Sequence, residues 1–147
     1  MFVEHTMLIH ASPERVWAVT VDVERWSEWT PTVTRVTRVD DGDFQVGSVA
    51  RIKQPGMREC LWRVTEMRDG VGYTWETRVF GMTMIATHEI SVHADGAMNT
   101  LRLTMRGVVS RLFWPMIRGK LHLTLSRENA GLKAKMEELG ALLQPVG

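Results

Sequence analysis

The sequence has one cysteine, one tyrosine, five prolines and almost no net charge. Cys60 alone cannot close an internal disulfide, so packing must hold the fold, and a reducing, cytoplasmic setting is expected. With 18 Lys+Arg against 17 Asp+Glu the formal charge is +1, which supplies no broad basic field for phosphates; nucleic acid is therefore not the expected partner. No window approaches the roughly 20 consecutive apolar residues of a membrane span, so no integral membrane segment is expected. The opening MFVEHTMLIHASPERVW carries an acid and a histidine inside its first apolar run and does not read as a signal peptide. HExxH, clustered Cys/His, GxSxG, P-loop and GxGxxG patterns are all missing, so neither a metal site nor a cofactor is expected. What the chain does hold is bulky apolar stock: six Trp and ten Met in 147 residues. That length suits a single domain over 1–147, able to bury roughly 68–70% of its unfolded surface without disulfide or metal.

No low-complexity segment, repeat or Pro/Gly/Ser-rich linker divides the chain. Turn signals recur instead: Asp40-Asp41-Gly42-Asp43, Gln54-Pro55-Gly56, Arg68-Asp69-Gly70, Phe80-Gly81 and Ala94-Asp95-Gly96. The pieces between them are strand-length and closely spaced, which predicts an antiparallel meander rather than βαβ units. Residues 73–79 place large or β-branched side chains at odd positions, including Trp75. Residues 84–92 put Met84 and His88 on one face, and residues 101–106 put Leu101, Leu103 and Met105 on one face. Period two with one wet face means a sheet covered on one side. Residues 46–53 and 58–67 alternate less cleanly, and 32–39 has the β-propensity of an edge strand.

Three segments depart from that period. Ser12-Pro13-Glu14 reads as N-cap, first helical position and first-turn acid of a short helix. Asp22 is the expected cap of a second short helix that Pro31 ends. From about 110 to 143, Leu121, Leu125, Leu132, Met136 and Leu139 recur at helical spacing; Pro115 should begin or kink this helix and Gly131 should weaken it without stopping it. The expected order is strand, two short helices, a meander of about six strands, then one helix long enough to cover the sheet. At 1.5 Å per residue, about 30 residues would reach roughly 45 Å.

The opening LIHASPERVWAVTVDVERWSEWTPTVTRV (8–36) resembles the SRPBCC (START-related) superfamily, specifically its polyketide cyclase/dehydrase-like branch. GSVARIKQPG (47–56), WRVTE (62–66), YTWE (73–76), the His88 strand and GLKAKMEE extend that resemblance over nearly the whole chain. It implies an α+β helix-grip fold, a seven-stranded antiparallel sheet wrapped around the C-terminal helix with an apolar cavity between them. Such proteins include aromatic polyketide cyclases, lipid and quinone carriers and hormone receptors. The motifs describe a fold more than a chemistry.

Trp29, Trp62, Trp75, Met84, Met105 and Trp114 are the candidate ligand walls, with His88 as the one titratable group placed on the inner face. Rigid indoles and adaptable thioethers suit a planar or greasy molecule; the competing reading is that they simply fill the core. His88 could orient a ligand or act as acid/base catalyst, or could be a core histidine satisfied by a backbone carbonyl or the Tyr73 hydroxyl. Spacing identifies no partner for it. His5 and His122 look solvent-facing, and Glu76 and Glu89 fall on outer parity; Glu66 shares parity with Trp62 and Val64 and could turn inward near a strand end, an exposed terminus being the favoured reading. Arg51 is either a surface residue or an anion anchor at the cavity rim. Three functions follow: binding of a small hydrophobic molecule (polyketide-, lipid- or isoprenoid-like), a cyclase or dehydratase using His88, or an interaction module. In the last, the groove receives a partner's apolar segment, which an exposed apolar patch at 112–117 (LFWPMI) would favour; the same patch could equally be a membrane-touching mouth for a carrier or a homodimer contact.

Overall fold

The computed structural model describes residues 1–143; the last four residues of the expected domain lie outside the described residues. Seven strands are described: β1 (Phe2–Ile9), β2 (Arg35–Arg38), β3 (Val49–Lys53), β4 (Cys60–Arg68), β5 (Gly72–Val79), β6 (Met82–His93) and β7 (Gly96–Arg106). They form one sheet in the order β1-β7-β6-β5-β4-β3-β2, with every neighbouring pair antiparallel. The helices are α1 (Pro13–Val21), a short 3₁₀ helix (Val23–Glu28) and α2 (Val108–Leu143). This is the helix-grip arrangement, and β2 is the edge strand its sequence suggested.

Local chemistry accounts for most of these boundaries. The Ser12 hydroxyl accepts from the Arg15 N–H at 3.3 Å, and Pro13 occupies the first turn of α1. Asp22 precedes the 3₁₀ helix but makes no side-chain cap; its carboxylate pairs instead with exposed Arg25 at 3.8 Å. Pro115 lies inside α2. It is the eighth residue of α2, so it does not begin the helix; two turns in, its missing N–H removes the bond that the Arg111 carbonyl would accept. Gly131 has a packing reason for being small: a Cβ there would stand 2.1 Å from the Trp29 carbonyl oxygen. The residue that weakens the helix is the one that lets it touch the chain after the 3₁₀ segment.

Alternation then sorts the side chains. Ala50, Ile52, Trp62, Val64, Tyr73, Trp75, Met84, Leu101, Leu103 and Met105 are buried beneath α2 and the short helices. Arg51 lies on the exposed face, so it cannot anchor an anion at the cavity rim. A register shift between Val64 and Glu66 in the β4–β5 pairing reverses parity locally. Met67, not Glu66, consequently packs against the core. His5 also departs from expectation, being half-buried on the inner side of β1. It shares the strand face of Val3, Met7 and Ile9, where the Asn129 side-chain N–H₂ of α2 donates to the His5 carbonyl at 3.1 Å and sits 2.9 Å from His5 Nδ1. Asn99 of β7 donates to Asn129 Oδ1 at 2.6 Å. This buried amide pair fixes the helix against β1 and β7, since slippage would strand polar atoms in an apolar core.

Candidate functional site

The space between sheet and α2 has two dissimilar ends. At one, rings fill it. Tyr73 and His88 are opposed across β5 and β6 and stack at 4.7 Å with planes 11° apart. Trp26 of the 3₁₀ helix lies 5.2 Å from the imidazole and 5.4 Å from Trp75; Trp62 adds a further ring 5.7 Å from Trp75. Phe44, from the loop before β3, closes on Tyr73 edge-to-face at 5.1 Å. Trp29 tilts against Trp26 at 5.8 Å. Offset and edge-on contacts of this kind add to the area they bury, so the cluster is a rigid plug as well as a core.

Buried polar groups sit inside that plug. Glu128, on the inward stripe of α2, brings a carboxylate oxygen to 3.8 Å from His88 Nδ1, and both side chains are almost wholly buried. Ion-pair distance does not make this an ion pair. Burial lowers the His88 pKa to about 3 and raises that of Glu128 to about 7. Removing either charge from water costs more than the other at this separation returns, and 3.8 Å is too long for a hydrogen bond. We therefore describe a neutral imidazole beside a carboxyl group that is largely protonated at slightly acid pH. Burial, then the neighbouring Glu128, holds the Tyr73 hydroxyl well above its ordinary range. That hydroxyl and the Trp29 indole N–H have no hydrogen-bond partner among the described residues. The Trp26 indole, by contrast, donates to the Thr20 carbonyl at 3.0 Å.

At the other end the same layer is open. A cavity of about 380 Å³ enters between Met82, Met84, Leu103 and Met105 of the sheet and Ile117, Leu121 and Thr124 of α2. Thr32, Gln54, Met57 and Phe80 form the rim across from the helix, while Lys120 and Arg127 stand on the helix side. The volume falls within the range of small-molecule sites, and unbranched thioethers form much of the wall. His88 lies four residues beyond Met84 on β6, about 13 Å along the strand. Glu128 lies one helical turn, about 6 Å, beyond Thr124. Neither borders the cavity. A larger depression of about 630 Å³ involves Arg58–Leu61 and Thr77–Phe80, where β4 and β5 part beyond the Arg63–Glu76 pair. It is an open surface hollow away from the buried polar groups, so the sheet–helix cavity is the stronger candidate.

The seven residues singled out from sequence thus divide. Met84 and Met105 line the cavity. Trp62, Trp75 and His88 share their inward face but stand in the ring cluster, joined there by Trp29. Trp114 turns its partly buried ring toward the core near the start of α2. Glu128 escaped notice, although the spacing Leu121–Leu125–Glu128–Leu132–Met136 sets it on the apolar stripe. A carboxylate at such a position was the available signal. Tyr73 was considered only as a hydroxyl for His88; its ring does the contacting.

A family model described as "Polyketide cyclase / dehydrase and lipid transport" matches residues 2–137. Among solved structures, the protein TTHA0849 from Thermus thermophilus is similar at a TM-score of 0.78 and 16% identity, covering 95% of this chain and 99% of that one. The di-domain ARO/CYC StfQ from the steffimycin biosynthetic pathway matches at 0.77 and 12% identity, over 95% of this chain and 51% of StfQ. A START superfamily protein from Mycobacterium smegmatis matches at 0.73 and 17% identity, over 94% and 98% of the two chains. Identities this low speak to the fold. No match is found among curated proteins.

Proposed function

The chain belongs to the polyketide cyclase / dehydrase and lipid transport family of the SRPBCC (START-related) superfamily, and from that premise we propose that it binds one small hydrophobic molecule between sheet and C-terminal helix. The observation that carries this reading is the methionine-lined cavity of about 380 Å³. Its walls select for shape and apolarity, which suits a polyketide-, lipid- or isoprenoid-like body. Apolar surface leaving water supplies the binding energy, roughly 25 cal/mol per Å² before the cost of ordering the ligand. Met84 and Met105 adapt to the ligand, and the ring cluster behind them sets the depth it reaches. The lone free Cys60 fits a cytoplasmic setting. Native mass spectrometry of gently purified protein tests the proposal: a retained small molecule is the expected result. A chain that stays at its bare mass after exposure to polyketide, fatty-acid and isoprenoid probes would overturn it.

One observation favours an enzymatic version, in which the chain acts as a cyclase or dehydratase. His88 has a carboxyl partner in Glu128. A protonated carboxyl donates a proton and a neutral imidazole accepts one, the pair of acts that enolisation and dehydration need; burial makes this imidazole a weak base, so the version requires bound substrate to raise its basicity. Neither side chain borders the cavity, so substrate would have to displace buried core side chains to reach them. Under this version His88→Ala abolishes turnover of a processed polyketide while the chain stays folded; undiminished turnover removes His88 from the mechanism.

A further inference from the structure

The N-terminal part of α2, residues 108–124, carries a second apolar stripe on the side away from the core. Only Ser110, Trp114, Ile117, Leu121 and Thr124 of this stretch turn inward. Val108, Leu112, Met116 and Leu123 recur at one-turn and two-turn intervals on the opposite face, 84%, 72%, 77% and 47% exposed. The 112–117 patch read from sequence is therefore split: Trp114 and Ile117 belong to the core, and the outward ridge runs on through Leu123. At 100° per residue, Arg111 and Arg118 flank the ridge on one side, and Lys120 and Arg127 on the other. No acidic residue occurs between Asp95 and Glu128. Lys120 and Arg127 also stand on the cavity rim.

Across the mouth, the β5–β6 turn adds a second apolar projection. Phe80 is 68% exposed and has φ 51°, a left-handed conformation that costs a non-glycine residue of its bulk. The Arg58 guanidinium lies over its ring, 5.9 Å from the centroid. A strained turn that holds a phenyl ring in water needs a reason, and Met57 is exposed beside it on the same rim.

We propose that this ridge and rim dock the protein on an anionic lipid surface, with the cavity mouth facing the bilayer. Charge decides between the candidate occupants. A second copy packed ridge to ridge would set Arg and Lys rows against their own kind with no acid to offset them, whereas anionic headgroups complement both rows. Leu112, Met116 and Phe80 enter the acyl boundary, and the cations stay at headgroup level. None of the described helices is long and apolar enough to cross a membrane, so the contact is peripheral. Docking in this orientation goes beyond the binding of a ligand: it says where an apolar ligand is exchanged without crossing water.

Co-sedimentation of the full chain with vesicles tests it, comparing phosphatidylcholine alone with phosphatidylcholine mixed with phosphatidylglycerol. Binding to the mixed vesicles, weakened by salt, is expected. Arg111→Ala/Arg118→Ala should lower it by about fivefold per cation removed, and Leu112→Ser/Met116→Ser by at least about tenfold, with unchanged circular dichroism. Indifference to phosphatidylglycerol, or wild-type binding by both double variants, overturns the proposal. So does light scattering that shows a dimer abolished by Leu112→Ser/Met116→Ser, because the second copy is then the occupant. Should the ridge variant misfold, the arginine variant still decides. Leu103→Trp, which narrows the cavity, should leave vesicle binding intact, so failure of docking and failure of ligand binding are read separately.

Discussion

The two ends of the sheet–helix layer are built from similar apolar material and come out opposite. Around His88, aromatic rings interlock at centroid distances of 4.7–6.3 Å with Trp17 at the margin. Around Met84 and Met105, flexible thioethers and aliphatic groups leave about 380 Å³ unfilled. Rings with two torsions and directional packing fill space from several elements at once; Met bends around whatever is present, including nothing. The difference teaches that a helix-grip cavity is placed by which end receives the rings. Here Trp26, Trp29 and Phe44, none of them on the central strands, are delivered to the His88 end by the 3₁₀ helix, its exit and the loop before β3.

The largest effect should come from removing a ring at the filled end. Trp75 is fully buried and touches Trp26, Trp62, Phe44 and Tyr73. Trp75→Ala should destabilise by about 3–5 kcal/mol in denaturant unfolding, through lost transfer energy and an uncollapsed hole. A loss under about 1 kcal/mol would mean that the plug is loosely packed and that the two ends do not differ.

A second test uses charge in place of volume. Glu128 titrates at about 7 when folded against 4.5 in water, so the folded state holds that proton more tightly. Its favourable contribution is complete below pH 4.5 and is lost as the pH rises to about 7, a displacement on the order of 3 kcal/mol. His88 runs the other way: held to about 3 when folded against 6.5 in water, it costs stability as the pH falls below 6.5. Glu128→Gln should therefore match the parent at pH near 4 and exceed it at pH near 8, by on the order of 3 kcal/mol. Equal stability at alkaline pH would show that water reaches the carboxylate, and with it that the plug is open.

These regions were not equally legible from the chain alone. The inward face of β5, β6 and β7 follows from period-two alternation, so Trp75, Met84, His88 and Met105 could be assigned together. Parity failed where the backbone inserts a bulge, exchanging Met67 for Glu66. His5 does follow parity, sharing the inward face of Val3, Met7 and Ile9; only its Asn129 partner, 124 residues away, lies beyond any local pattern. Glu128 was readable from its helical spacing, but its pairing with His88 depends on how far α2 is slid over the sheet. The Asn99–Asn129 contact sets that slide, and no local pattern reports it. Where the void falls was least legible of all, because it depends on rings supplied by elements outside the meander.

At the open end, Met105→Ala should cost about 2 kcal/mol, the low end of the range for such truncations. One side of Met105 already faces empty space, so truncation forfeits fewer contacts than it would in a packed core. A loss as large as that of Trp75→Ala would make Met105 part of the plug.

Narrowing the cavity should perturb the fold least and the function most. Leu103 points from β7 into the void and neighbours Met84 and Met105 there. Overpacking a closed core costs about 1–3 kcal/mol because neighbours must leave their rotamers. An indole at position 103 instead grows into space already present, so Leu103→Trp should change stability by less than about 1 kcal/mol. The same ring projects into the void and narrows the space a ligand would occupy, so native mass spectrometry should show weaker retention of any small molecule the parent holds. Destabilisation with ligand kept would place the binding site elsewhere. Unchanged stability with ligand lost would separate the two ends as sharply as one substitution can, one stabilising the fold and the other held open for a guest.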